Sequence, residues 1–566
     1  MSFFRFLVRF GLGGILSTRS VLAMDFVVTQ SGDSALPGSD TLRSEIAAAN
    51  ANPGPDRVWI RTPDPIVLTN GPILVTDSVE IIGARPEGAS RISGSGDSGN
   101  RASLLQLHGD PEAPREIQLV LRKLHLRAAS GPTLQGGGVD VRRAHLRVED
   151  CLFTDNRTLS DGSAIRIEDA VADVRDSVFE SNVASGSGAI AALGSELTVV
   201  RSRFSCNRSF TGGAIAGGMA SIDIVDSLIR DNSADFYGGG VLLMNGKRLR
   251  IQRSTVVGNT AGSYGGGVAL YGPDDGEPSV IENSTIAGNA APAVNGSGAG
   301  VFFGSGRLHL RNSTVVANRT GAGDFNQWSN GGGVFVGGSG SRLEISSTIL
   351  AGNTQEPAAA SDLVRDLDPR VTPPGIVSVR RSLVQAVPET GTVNGAEADN
   401  LWQVDPKLEP LADNGGPTPT MALTLGSPAC ERGENAAGLA SDQRGDGFPR
   451  AYGNTDIGAY EYHDDVIFQG GFERHDPGAL GCARQPPGRS VISRKGGIPW
   501  RGGALGLVRF LSGTLLEPAG TPFVERTFRP APQGPAKPDG GWRLRGGSPG
   551  MAGDVRHQRV GEVHLA

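Results

Sequence analysis

Breaking a glycosidic bond takes two carboxyl groups at a fixed separation, or an acidic cluster that holds calcium beside an Arg or Lys base. Two acidic sets in the chain invite that reading. Asp150, Asp176 and Asp226 each stand six positions before a recurring Asn, and Asp274-Asp275 with Glu277 forms a compact second set. The first column continues as Arg201, Arg253, Asn283, Asn312 and Ser347. Mixed charges of this kind read more simply as a surface corner, since stacked like charges repel. The second set suits calcium, but a solvated turn explains it as well. His309 lies in a strand-like segment and reads as structural, and Arg444-Gly445-Asp446 is a three-residue match that chance supplies. There is no nucleophile triad, phosphate loop or metal-ligand spacing, so no catalytic residue, metal site or cofactor is assigned.

Aromatic residues offer a second chemistry, because their faces stack on sugar rings. Phe210, Tyr237 and Tyr264 stand just before glycine steps, and an insertion carries Asp324-Phe325-Asn326-Gln327-Trp328. Phe210, Tyr237, Tyr264, Asp324, Phe325 and Trp328 are therefore the candidate ligand-binding residues. The plain alternative is that the rings cover gaps left by glycine corners. Either reading requires that these positions fall along one edge, which depends on the repeat.

The repeat is a hydrophobic residue followed three positions later by Asn: Asn156, Asn182, Asn207, Asn232, Asn259, Asn289, Asn318 and Asn353. Successive Asn residues lie 26, 25, 25, 27, 30, 29 and 35 apart, a constant motif on a drifting period. That is one structural turn with loops of variable length. Eight positions before each Asn the chain has Val148, Val174, Val199, Ile224, Ile251, Ile281, Leu310 and Ile345. Ten positions before, most turns again carry an apolar residue, and five before stands Ser or its near equivalent. Alternation, a jump in phase and renewed alternation mark two strands with a corner between them. A further strand opens at glycine steps such as Gly213-Ala214-Ile215, Gly239-Gly240-Val241 and Gly266-Gly267-Val268. Three short strands per turn stacked in columns predict an all-β parallel β-helix, with the Asn column as a structural ladder.

Composition agrees: 83 Gly, 5% aromatic and 20% charged residues suit a thin solenoid. A net charge of −6 gives no case for nucleic-acid binding. Four cysteines lack metal spacing, and a Cys430–Cys482 bridge is one option. Arg5, Arg9, the apolar run 10–16 and Val21-Leu22-Ala23 read as a signal peptide over residues 1–23. No later stretch is long and apolar enough to span a bilayer. Residues 42–50 predict a short amphipathic helix that caps the N-terminal end, followed by irregular turns with extended segments at 58–60, 73–75, 79–82 and 121–126.

The Gly-Gly-Ala-Ile and Phe-x-x-Asn pieces resemble repeats of chlamydial polymorphic outer-membrane proteins. Thr41-Leu42-Arg43 through Asn52-Pro53-Gly54 resembles the opening of secreted bacterial β-helix proteins of the CSLREA type. Asp405-Pro406, Asp413-Asn414-Gly415-Gly416-Pro417-Thr418, Asp442-Gln443-Arg444-Gly445 and Asp456-Ile457-Gly458-Ala459-Tyr460-Glu461 resemble a choice-of-anchor Q domain, with Cys430 departing from the usual aliphatic residue. Asp465-Val466-Ile467-Phe468 through Gly471-Phe472-Glu473 resembles a short terminal segment of exported Gram-negative proteins. The resemblance implies a right-handed helix in a secreted or cell-surface protein of a Gram-negative bacterium. The expected organisation is signal peptide 1–23, cap and irregular turns 24–130, regular turns 131–404, choice-of-anchor-like segment 405–462 and a tail 463–566. Within the tail, residues 484–566 hold 13 Lys and Arg against 5 Asp and Glu, a net of +8. They read as disordered, as translation past the natural end, or as a basic arm for an acidic polymer. The expected role is monomeric adhesion or glycan binding without catalysis; the alternative is a polysaccharide lyase or glycoside hydrolase.

Overall fold

The computed structural model describes residues 23–463 except 85–89, 95–102, 113–116, 132–135, 273–275, 295, 322–330, 357–358, 366–373, 387–392, 397–398 and 452. The leader-like segment, the basic tail, Asp274-Asp275 and the insertion bearing Asp324, Phe325 and Trp328 lie outside the described residues.

The chain winds as a parallel β-helix. One regular turn runs through Val139–Arg142, His145–Glu149, Leu152–Thr154 and Arg157–Thr158, and each strand pairs in parallel with its counterpart one turn on. We call the sheets they belong to I, II, III and IV. Among the described residues these hold 11, 14, 13 and 10 strands. Each regular turn thus has four strands rather than three. The fourth is the residue pair after each ladder Asn, such as Val183–Ala184 and Arg208–Ser209. Two residues are too few to show alternation, which is why periodicity does not reveal them. Residues 121–126, expected as one extended segment, are instead two strands, Gln118–Arg122 and His125–Arg127, with Lys123 at φ 55° turning the corner between them.

Register is kept through the regular turns apart from one irregularity in sheet I, between Leu270 and Tyr271. Leu146, Ala172, Leu197, Ile222 and Leu249 are successive partners in sheet II, and all point inward. Phe153, Phe179 and Phe204 stack inside with ring centroids 4.8 and 4.6 Å apart, matching the spacing between turns. The Asn ladder is complete and buried. Asn182 receives two bonds at Oδ1, from the backbone N of Asn156 (3.1 Å) and its Nδ2 (2.9 Å), and the same pairing recurs to Asn353. Asp362 closes it by accepting both donors of Asn353 at Oδ1, while its Oδ2 accepts from the backbone N of Ala386. A parallel serine ladder satisfies the neighbouring corner: Ser177 N donates to Ser202 Oγ, and Ser202 N to Ser227 Oγ. Left unpaired, these corner amides would each cost about 1–3 kcal/mol.

The helix Leu42–Ala51 starts at a Thr41–Ser44 capping box, and Leu42, Ile46 and Ala49 join the solenoid core. The described segment after residue 404 folds back over the outer face of sheet III. Leu423, Ala429 and Ile457 pack on Val316, Ile349 and Ala351, and Thr285 Oγ1 donates to Gln443 Oε1 at 2.6 Å. Of the suggested Cys430–Cys482 bridge, Cys482 lies outside the described residues. The disulfide-bonded cysteine among the described residues is Cys206, held at a corner with φ 56°.

Candidate functional site

The candidate surface is the outer side of sheet I, and its construction starts at the glycine steps. Gly238 and Gly265 adopt φ of 63° and 67°, folding the preceding corner over the outside of the sheet. A Cβ on Gly238 would come within 2.8 Å of the Leu242 Cβ, and one on Gly265 within 2.7 Å of the Ala269 Cβ. Only glycine permits both the conformation and the approach. The residues just before them, Tyr237 and Tyr264, are thereby laid over the sheet with rings stacked at 5.3 Å. Tyr264 stacks on Phe302 at 4.7 Å, and Phe302 on Phe335 at 5.3 Å. Tyr271 closes the group against Tyr237 and Phe302. Burial pushes the Tyr237 and Tyr271 phenols above their ordinary range, so both remain neutral donors.

Phe210 does not continue this stack. It pairs with Phe236 instead, rings parallel at 5.9 Å, and Phe236 meets Tyr237 at 4.3 Å with the planes tilted. These two rings are 51% and 40% exposed, whereas Phe302 and Phe335 are only 7% exposed. The surface therefore has two layers: a buried aromatic bed, and two phenylalanines standing in solvent at its edge. Three of the sequence candidates, Phe210, Tyr237 and Tyr264, are brought together; Asp324, Phe325 and Trp328 fall outside the described residues. Phe236, Tyr271, Phe302 and Phe335 were missed. The available signal was Val301-Phe302-Phe303 and Val334-Phe335-Val336, where an aromatic takes the outward position between two inward residues.

Nearer the N-terminus the same outward column is polar. Asp140, wholly buried, meets His108 Nε2 at 3.3 Å, Arg142 Nε at 3.4 Å and Arg166 Nη1 at 3.3 Å. Arg166 and Arg142 also reach Glu168, at 2.9 and 3.6 Å. Burial opposes charge on Asp140, but His108, Arg142 and Arg166 outweigh it and hold the carboxyl below its ordinary range. Asp140, bridged to Glu168 by two guanidiniums, is thus suited to remain ionised.

The acidic column read from the sequence is a corner. Asp176, Arg201, Asp226 and Arg253 all have positive φ, between 46° and 52°. Arg201 donates to both oxygens of Asp176 at 2.7 and 2.8 Å, and Arg253 to both of Asp226 at 2.7 and 2.9 Å. Glu277 is exposed and lies 3.7 Å from Arg248. Arg444 is buried, paired to Asp442 and sandwiched between the rings of Phe448 and Tyr460, so Arg444-Gly445-Asp446 offers no exposed guanidinium.

Residues 163–355 match the family described as a right-handed β-helix region, which gives those turns their hand. No curated protein matches the sequence. Among solved structures, the chain resembles XylC in complex with xylose at 10% identity and a TM-score of 0.39, covering 69% of this chain and 88% of that one. It also resembles Geobacillus virus E2 ORF18, at 10% identity and 0.27 over 52% and 58%, and bacteriophage CBA120 tailspike protein 3, at 11% and 0.25 over 62% and 59%. These likenesses are too distant to carry chemistry across.

Proposed function

We propose that the protein is an exported, monomeric β-helix that binds glycan at the surface of, or outside, a Gram-negative cell without cleaving it. The observation that carries this reading is the pair of parallel, solvent-standing rings of Phe210 and Phe236 beside the Tyr237–Tyr264 stack. Aromatic groups of this size are usually withdrawn from water, and a sugar ring covers such faces while its hydroxyls reach neighbouring polar groups. Tyr237 and Tyr264 bring phenols to the same edge.

A second reading, as a glycoside hydrolase or lyase, draws on Asp140 and Glu168 held together by Arg142 and Arg166. Hydrolysis needs one carboxyl that keeps its proton. Asp140 is shifted the opposite way, which favours binding over turnover. A glycan array probed with the full chain, followed by product analysis of each polysaccharide retained, separates the two. Retention with unchanged polymer supports the binding protein; new reducing ends or unsaturated products would replace it with the enzyme.

A further inference from the structure

Cys206 is disulfide-bonded, and distance within the fold selects its partner among the other three cysteines of the chain. Cys206 stands at the corner after strand Arg203–Ser205 of sheet III. Cys151 stands at the opposite end of that sheet and two turns away, before strand Leu152–Thr154, and its buried Sγ donates to Leu121 O and Glu149 O. Cys430 follows Ala429, whose carbonyl accepts from Ile457 N, and the next residue, Gly458, donates to Ser347 O. That ties Cys430 to the turn of Ser347 and Leu350, five turns from Phe204 or about 24 Å. Bridged cysteines have Cα atoms within about 7 Å of each other. Both Cys151 and Cys430 lie beyond that reach, which leaves Cys482.

The chain already runs toward Cys206 where its description ends. Gly458 N donates to Ser347 O at 2.8 Å, and Ala459 N donates to Thr314 Oγ1 at 3.1 Å, one turn nearer. From Thr314 back to Arg203 is four further turns, about 19 Å, which about six extended residues span. Nineteen positions separate His463 from Cys482, so length is no obstacle. The outer face of sheet III carries a second, independent sign. Ser205 points outward beside Cys206 yet is only 4% exposed, whereas its partners in register, Glu180 and Arg230, are more open. A position open one turn to either side is closed at Cys206.

We propose that Cys206 and Cys482 form a disulfide that straps the chain beyond His463 across sheet III, with residues 464–481 as the cover over Arg203, Ser205 and Leu228. The apolar members of that stretch, Val466, Ile467, Phe468 and Phe472, suit the half-buried outward side chains of Val178 and Leu228. As the S–S bond forms, each thiol gives up a proton and the pair gives up two electrons. Those electrons pass by thiol–disulfide exchange to a disulfide-bearing oxidant, which leaves as a dithiol. The bond persists in the oxidising surroundings of an exported protein. The segment docked on sheet III is thereby fastened covalently at its far end, whether or not the aromatic surface binds glycan.

The test is peptide mapping of the full-length protein, oxidised in a glutathione buffer, alkylated without reduction and cut with trypsin. Peptide 204–208 is expected joined to peptide 475–484 in a monomeric protein, and parted from it by reduction. Recovery of peptide 204–208 as an alkylated free thiol overturns the proposal. So does its recovery joined to a peptide carrying Cys151 or Cys430, or only within a covalent dimer. Cys482→Ser tests the cover. Amide exchange at 203–205 and 228–230 should quicken about tenfold, with 215–218 on sheet I unchanged. Cys206→Ser should match it, and the double variant should add nothing, since each change removes the same bond. Unaltered exchange at 203–205 and 228–230 in Cys482→Ser would overturn the placing of residues 464–481 there.

Discussion

Asn207 and Asn232 are joined twice: the backbone N of Asn207 donates to Asn232 Oδ1 at 3.0 Å, and Asn207 Nδ2 donates to the same oxygen at 2.9 Å. Asn207 Nδ2 also donates to Phe179 O, and its own Oδ1 accepts both donors of Asn182. Every hydrogen-bonding position of the side chain is filled, in a setting closed to water. This is why the residue repeats: no other side chain both accepts twice and donates twice at that size.

Replacing Asn207 by Ala should therefore cost more than an ordinary polar deletion. Two donors of Asn182 and the Phe179 carbonyl lose their partner together, for about 3–5 kcal/mol. Asn207→Asp should be at least as damaging, because an oxygen would face Phe179 O and Asn232 Oδ1. Asp362→Asn should be mild, since the ladder ends there and only the bond from Ala386 N is disturbed. Urea unfolding of the three variants checks the ranking; an Asn207→Ala cost under about 1 kcal/mol would show that the ladder is not a main source of stability.

The segment after residue 404 is pinned by charge as well as by apolar contact. Asp442 Oδ2 accepts from Arg444 Nη2 at 2.6 Å and from Glu461 N at 2.8 Å, and Arg444 lies between two aromatic rings. Asp442→Ala leaves a buried guanidinium unopposed, at about 3–5 kcal/mol. The expected result is local release of this segment from sheet III, seen as faster amide exchange at residues 255–257, 285–287 and 314–316. Uniform loss of protection throughout the solenoid would show instead that the segment and helix unfold as one unit.

Glu461 gives the same knot a pH dependence. Burial, helped by Asp456 and Asp442, outweighs Arg450 and lifts its carboxyl to about 8. An unfolded Glu titrates near 4.3, so from about pH 4.3 to about 8 the folded chain binds a proton that the unfolded chain has released. Stability from this group is therefore present at low pH and lost as pH rises through about 8. Glu461→Gln mimics the protonated form, so its melting temperature relative to wild type should climb between pH 5 and pH 9. A constant difference would place the Glu461 carboxyl in its ordinary range.

The parts of the molecule differ in how far sequence discloses them, for physical reasons. Inward columns and the Asn ladder impose one residue type per turn, so Val148, Val174 and Val199, or Asn156 through Asn353, are visible as a period. Asp176 and Arg201 were also legible as a corner, because charges one turn apart must complement each other. The candidate surface was only half legible. Phe210 stands two residues before Gly212 and Tyr237 one before Gly238, and that single position puts Phe210 in register with Phe236 and Tyr237 in the tyrosine stack. Phe302 and Phe335 were hidden because outward positions vary freely unless something packs outside them.

The exposed phenylalanines provide the sharpest test of what the aromatic surface is for. If Phe210 and Phe236 merely cover the corner, Phe210→Ala/Phe236→Ala should lower stability and leave glycan retention untouched. If they are a binding platform, the reverse holds. Both rings stand largely in water, so their removal should cost less than about 1 kcal/mol of stability, with most of the loss from their mutual stacking. Retention of whichever neutral glycan the array selects should fall by roughly threefold to tenfold for each ring face removed, corresponding to about 0.5–1.5 kcal/mol of stacking. Phe302→Ala is the contrasting variant. That ring is 7% exposed beneath Tyr264, so its loss should cost about 3–5 kcal/mol and weaken retention only through the tyrosines it supports. Thermal unfolding and affinity electrophoresis on both variants give the two axes. Unchanged retention in the double variant, with stability clearly reduced, would identify the rings as corner cover and remove the main support for glycan contact at sheet I.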